Sequence, residues 1–245
     1  MEQREGLIAI LDALGAAVYS DQEIAQFLNS RALVLRLLAE KAESKAIRGD
    51  IDAKAVTTFT FNDTVLIVYR TERPPDLDDV EHFCELLRKF MVDSLMQGIL
   101  FRGALSVGHF YVEEKSSTVM GTAVTDAAAW YDSADWVGIN ATPYATLVIQ
   151  ALPKRRGGDI ERVLVDYLVP FADRPPLKLK AVNWPKAFYV RGVRPGGTSK
   201  DARAKCLSFL TVHGVPKSTE AKHFNSMAFF DHCVSLWKRQ RTNQP

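Results

Sequence analysis

The 245-residue sequence has only three cysteines, Cys84, Cys206 and Cys233, far apart and without a CxxC pair. That spacing argues against a disulfide framework or a zinc site and fits a reducing, cytoplasmic compartment. No stretch of about 18 apolar residues occurs, so no membrane-spanning helix is expected. The charged start Met1-Glu-Gln-Arg-Glu5 and the short apolar run behind it do not read as a signal peptide. Histidines 82, 109, 213, 223 and 232 lack metal-ligand spacing, and no GxSxG elbow is present for serine-hydrolase chemistry. Neither sign of charge dominates. With 31 Lys and Arg against 29 Asp and Glu the net charge is +2, too balanced for bulk nucleic-acid binding. Internal repeats, low-complexity tracts and long flexible linkers are also missing. What remains is 47% hydrophobic, enough for a sizeable core.

The chain is organised around Leu7-Ile-Ala-Ile-Leu-Asp12-Ala-Leu-Gly15, an apolar run that ends in one acidic residue and then a glycine. The run reads as a buried strand over 7–12, with Asp12 at its carboxyl end. Ser20 and Glu23 form a capping box ahead of a helix with Ile24, Phe27, Leu28, Leu35, Leu38 and Ala42 at helical spacing, closed by Gly49-Asp50. Strands at about 54–61 and 64–70 flank Asn62-Asp63, a two-residue hairpin pair. A helix from Val80 to Leu95 stops at Gly98, and a glycine-bearing strand follows over Phe101–Tyr111. Thr118–Met120 leads through Gly121 into a helix to about Ser133, and Trp136–Ile139 is a further strand. The order β-α-β-β-α-β-β-α-β predicts an α+β fold with helices on one face of a largely antiparallel sheet.

Residues 1–140 form the expected core, and 141–245 extend the same domain. A short helix from Thr142-Pro143 to about Leu152, a basic turn at Lys154-Arg-Arg-Gly-Gly158, a strand over Val163–Val169 and two helices near 198–211 and 217–239 are expected there. Pro170 to Pro195 is rich in proline, tryptophan and lysine. Its Lys178, Lys180 and Lys186, with Trp184, suit either an anion site or an ordinary charged loop.

Alone, Asp12 reads as a turn residue and Asn62-Asp63 as a simple hairpin tip. Together, on neighbouring strands, two carboxylates supply the hard oxygens that divalent cations take while leaving positions for substrate phosphates. The loop after Asp12 offers backbone N–H groups of Ala13, Leu14, Gly15 and Ala16 to β- and γ-phosphates. Tyr111, Asp126 and Tyr131 are polar groups for a pocket or a subunit seam, or plain structural side chains.

Four motifs carry a family resemblance. Ile10-Leu-Asp12-Ala-Leu-Gly15 resembles the first metal motif of class III nucleotidyl cyclases, and Phe61-Asn62-Asp63-Thr-Val-Leu-Ile resembles the second. Arg102-Gly-Ala-Leu-Ser-Val-Gly108 and Val119-Met-Gly121-Thr-Ala-Val-Thr resemble later elements, in the family's order, over residues 7–140. More narrowly, the compact chain is similar to the pyrimidine cyclases of the Pycsar antiphage system. The resemblance implies a ferredoxin-like βαββαβ core and two Mn²⁺ or Mg²⁺ ions on Asp12, Ala13 and Asp63. It further implies a homodimer, and conversion of UTP or CTP to the 3′,5′-cyclic monophosphate and pyrophosphate. That product would act through a separately encoded effector, with neither a membrane nor a nucleic acid as partner.

The sequence departs from the purine cyclases of the family. Their transition-state Asn and Arg fall on Thr125 and Ala129, and their purine-reading pair on Phe59 and near Thr118. Loss of that pair points towards a pyrimidine, with UTP ahead of CTP, and Arg102 stands in for the missing arginine. A purine cyclase with an unusual base pocket and an inactive cyclase-fold module remain alternatives.

Overall fold

A computed structural model describes residues 2–16, 19–47, 55–113, 116–153, 160–192 and 198–242. The expected basic turn at 154–158 and the helix stop at Gly49-Asp50 lie outside them. The first half contains β1 (Glu2–Ala13), α1 (Asp21–Ile47), β2 (Val56–Phe61), β3 (Thr64–Thr71), α2 (Leu77–Met96) and β4 (Phe101–Glu113). Their strands lie in the order β2-β3-β1-β4, every neighbouring pair antiparallel. This is the βαββαβ arrangement expected for the core. The chain continues with β5 (Thr118–Met120), α3 (Thr122–Ala128), β6 (Gly138–Ala141), α4 (Pro143–Ala151), β7 (Leu164–Val169), β8 (Leu177–Val182), α5 (Trp184–Gly192), α6 (Ser199–Leu210) and α7 (Glu220–Thr242). The sheet runs on from β4 through β6, β8 and β7, with β4–β6 its one parallel pair among the described strands.

Alternation along β1 sorts its side chains between two layers. Leu7, Ala9 and Leu11, with Val65, Ile67, Leu105 and Val107, belong to the main core beneath α1 and α2. Ile8 and Ile10, with Val68 and Phe110, form a smaller cluster under α3 on the other face. Helices therefore sit on both faces, against the expectation of one, although the α3 face carries far less cover. Asp12 continues the Ile8 and Ile10 row, so its side chain belongs to this thinly covered face.

Several elements differ from the sequence reading. The buried stripe of α1 is Phe27, Val34, Leu38, Ala42 and Lys45, while Ile24 and Leu28 are exposed. Lys45 is buried because its ammonium meets Glu85 of α2 at 2.6 Å. Helix α3 ends at Ala128 and turns carry the chain to Ser133, while β6 begins two residues later than expected. Strand β8 and helix α5 arise inside the proline-rich stretch. Leu177-Lys-Leu-Lys-Ala-Val182 alternates as a strand should, and Pro185 occupies the first turn of α5, where a missing N–H costs little. Trp184 is fully buried against Phe188, Phe229 and Phe230. Lys180 pairs with Asp166 at 2.9 Å, so it and Trp184 serve the fold. No helix among the described residues is long and apolar enough to cross a membrane.

Candidate active site

The end of β1 and the β2–β3 hairpin tip are tied together by the backbone. Asp12 opposes Thr64 in the ladder, and the N–H of Ala13 donates to the carbonyl of Asp63 at 3.3 Å. Asn62, at φ 51°, supplies the left-handed residue this tight turn requires, and the guanidinium of Arg31 from α1 donates to its carbonyl. The hairpin is thus braced from both sides, and two carboxylates, Asp12 and Asp63, are held at one edge of the open face.

Asp12 also opposes Arg102 on β4. The Nε and Nη2 of Arg102 both donate to Asp12 Oδ2 at 3.3 Å. Burial pushes the Asp12 carboxyl above its ordinary value. The Arg102 charge works against that, while Asp63 and Asp132 add repulsion. Arg102 therefore compensates the Asp12 carboxylate only in part, an arrangement a cation relieves. Two acidic side chains offer hard oxygens while leaving other coordination positions to water or substrate, unlike a closed protein cage. No cluster of three or more His, Cys, Asp or Glu side chains with metal-site geometry occurs among the described residues. Paired carboxylates such as Asp12 and Asp63 are the donor type that Mg²⁺ or Mn²⁺ takes.

The loop after Asp12 is only partly available for phosphates. The N–H of Ala13 is bonded to Asp63 and that of Leu14 to the carbonyl of Leu100 at 2.8 Å. Within this chain those two donors already stitch β1 to its neighbours. Gly15, at φ 85°, turns the chain, and the candidates left in the loop are Gly15 and Ala16.

Phe59 opposes Leu66, which opposes Ile10, so it shares the face of Asp12, and it packs half-buried on the smaller cluster. Thr118 is elsewhere. It pairs with Glu113, at the far end of β4 from Arg102, roughly 35 Å away at the usual strand rise. Within one chain it cannot meet Asp12.

Tyr131 is brought to the site, and Asp132 comes with it. The turn after α3 places both within electrostatic reach of Asp12, and burial followed by Asp132 and Asp12 raises the Tyr131 phenol. Asp132 was not anticipated, because no local pattern marks a turn that folds back onto a distant strand. Asp126 has a structural role. Its Oδ2 accepts from Ser106 at 2.6 Å and from Thr142 at 2.5 Å, and Thr142 caps α4 by accepting from the N–H of Ala145 at 3.0 Å. Tyr111 donates to Gln3 at the other end of the sheet.

No family model and no curated protein matches the chain. Solved structures of similar architecture do exist. One is the catalytic core of a rhodopsin-guanylyl cyclase with converted specificity, in complex with ATPalphaS, at 15% identity over 74% of this chain and 96% of that one, TM-score 0.48. Another is the non-canonical dimeric guanylyl cyclase domain of the RhoGC fusion protein from the aquatic fungus Blastocladiella emersonii, at 14% identity over 74% and 95%, TM-score 0.49. The guanylyl cyclase Cya2 matches at 13% identity over 74% and 93%, TM-score 0.48. At this distance the likeness says nothing about which nucleotide, if any, this chain converts; that rests on its own residues.

Proposed function

We propose that this chain is a metal-dependent nucleotidyl cyclase of the class III type that converts UTP, or CTP, to its 3′,5′-cyclic monophosphate. The observation that carries this reading is the pairing of Asp12 and Asp63 by the Ala13–Asp63 backbone hydrogen bond, beside the cationic Arg102. Two Mn²⁺ or Mg²⁺ ions held there would lower the pKa of the 3′ hydroxyl and neutralise the triphosphate. Asp12 and Asp63 anchor the triphosphate through that charge. The Gly15 turn offers N–H groups to its outer phosphates, and Arg102 supplies positive charge near the α-phosphate as negative charge develops there. The 3′ oxygen bonds to the α-phosphorus, the bond from that phosphorus to the β-bridging oxygen breaks, pyrophosphate leaves, and the hydroxyl proton passes to solvent.

Phe59 supports the pyrimidine assignment, because a bulky ring on the Asp12 face, where the purine cyclases carry a purine-reading Lys or Glu, would narrow the base pocket. The distance of Thr118 from Asp12 supports a homodimer, in which such a residue would reach the site of a second copy. The thin cover of the α3 face supports the same reading. The cyclic product would serve as a second messenger in antiphage defence, read by a separate effector. Incubation of the purified chain with each of the four NTPs and Mn²⁺, with products resolved by chromatography, tests the assignment. Cyclic UMP or cyclic CMP is expected. Cyclisation of ATP or GTP alone would replace it with a purine cyclase, and no consumption of any NTP would leave a nucleotide- or partner-binding module.

A further inference from the structure

Arg102 grips Asp12 loosely for so sheltered a pair. Each side chain is only about a fifth exposed, at 20% and 19%. An arginine–carboxylate fork usually sets two N–H groups on two oxygens at about 2.7–2.9 Å. Here both N–H groups converge on Oδ2 at 3.3 Å. Other sheltered pairs in the chain are shorter: Lys45–Glu85 and Lys89–Asp93 at 2.6 Å, and Lys222–Asp135 at 2.9 Å. Among the described residues no hydrogen bond reaches Asp12 Oδ1.

The looseness is not that of a chance surface encounter. Asp12 and Arg102 are direct ladder partners, and Gly103 lets the strands close up at that point, since a Cβ there would lie 2.3 Å from the carbonyl oxygen of Ile10. The backbone thus fixes a guanidinium beside a carboxylate that it compensates only in part.

We propose that Arg102 is a built-in counter-ion that occupies Asp12 when no divalent cation is bound and is displaced from it when one binds. The inference rests on the cyclase reading above and concerns how the same site is loaded. Guanidinium and cation compete for one carboxylate, and the two positive charges repel at close range. Arg102 therefore sets a threshold for cation binding, and its charge becomes free for the triphosphate only once the cation has taken its place on Asp12.

Mn²⁺ affinity of the full chain, measured by the EPR signal of free Mn²⁺, tests this without reference to turnover. Arg102→Gln should bind Mn²⁺ about fivefold tighter or more, at least the scale of one exposed ion pair. Arg102→Lys, which keeps the charge, should fall between Arg102→Gln and wild type, and Asp12→Asn should lose the site. Affinity in Arg102→Gln equal to or weaker than wild type would overturn the counter-ion role while leaving the metal site standing. Absence of Mn²⁺ binding in the wild-type chain would instead overturn the metal reading, and this inference with it. NMR of the wild-type chain removes any dependence on the variants' folding. The Arg102 Nε–H resonance should shift when Mg²⁺ saturates the site, and an unmoved resonance refutes the displacement.

Discussion

The carbonyl of Asp63 accepts the N–H of Ala13 at 3.3 Å, so the tip of one hairpin is pinned one residue from Asp12. Everything proposed for the site follows from that junction. It places the Asp12 carboxylate at the end of β1 beside Asp63 at the hairpin tip, and neither side chain belongs to the core clusters.

That separation of roles is measurable. Asp12→Asn and Asp63→Asn should each reduce cyclisation by about a thousandfold or more, as removal of a ligand from a metal-assisted reaction does. Thermal stability should hold or rise, because burial already disfavours the Asp12 charge. A large drop in Tm in Asp12→Asn would mark the residue as structural.

Gly103 sits where β4 closes on β1. A Cβ there would lie 2.3 Å from the Ile10 carbonyl oxygen and 2.7 Å from Leu11 Cδ2. Gly103→Ala should cost about 1–3 kcal/mol in urea unfolding, the usual cost of overpacking. It should also slow turnover, since the strain falls between Asp12 and Arg102.

Asp126 is expected to behave in the opposite way to Asp12. Its carboxylate joins α3 to Ser106 of β4 and to the cap of α4. Asp126→Ala leaves those hydroxyls without their acceptor and should cost about 1–3 kcal/mol. Mn²⁺ affinity should be unchanged, because the clamp's hydrogen bonds involve neither Asp12 nor Asp63. Asp126→Asn, which keeps an acceptor, should cost less.

Two histidines give the chain an acid-side weakness. Burial holds His223 and His232 below the ordinary value of 6.5. Among the described residues, His223 Nδ1 and His232 Nε2 are buried without a partner. Both rings are more readily protonated in the unfolded chain, which therefore binds more protons as pH falls, and stability declines with it. The contribution is complete above about pH 6.5 and is lost as pH drops towards the folded-state values. Urea midpoints measured down to about pH 5.5 should fall, and the His223→Asn, His232→Asn double variant should flatten the decline.

The sequence carried the first half of the fold in local signals: the apolar run into Asp12, the Asn62-Asp63 turn, and the helix between Val80 and Gly98. β8 and α5 were obscured by the prolines around them, although the alternation in Leu177-Lys-Leu-Lys-Ala-Val182 was a usable strand signal. At the site, Asp12 was legible because it ends an apolar run, and Asp63 because it sits in a hairpin pair between two strand-like runs. Arg102 was legible only as a nearby charge. Its contact with Asp12 depends on the register of residues 90 positions apart, which no local pattern encodes. Asp132 was invisible for the same reason. The N–H groups of Ala13 and Leu14 are taken up by turn and loop bonds to Asp63 and Leu100, which no local pattern marks.

The central claim is intramolecular attack on the α-phosphate by the nucleotide's own 3′ hydroxyl. Mass spectrometry of the wild-type chain with UTP or CTP and Mn²⁺ tests it most directly. The account predicts 3′,5′-cyclic UMP or cyclic CMP in equal amount to pyrophosphate, with both products absent in Asp63→Asn. Release of phosphate with UDP or CDP, or intact triphosphate after prolonged incubation, would contradict it.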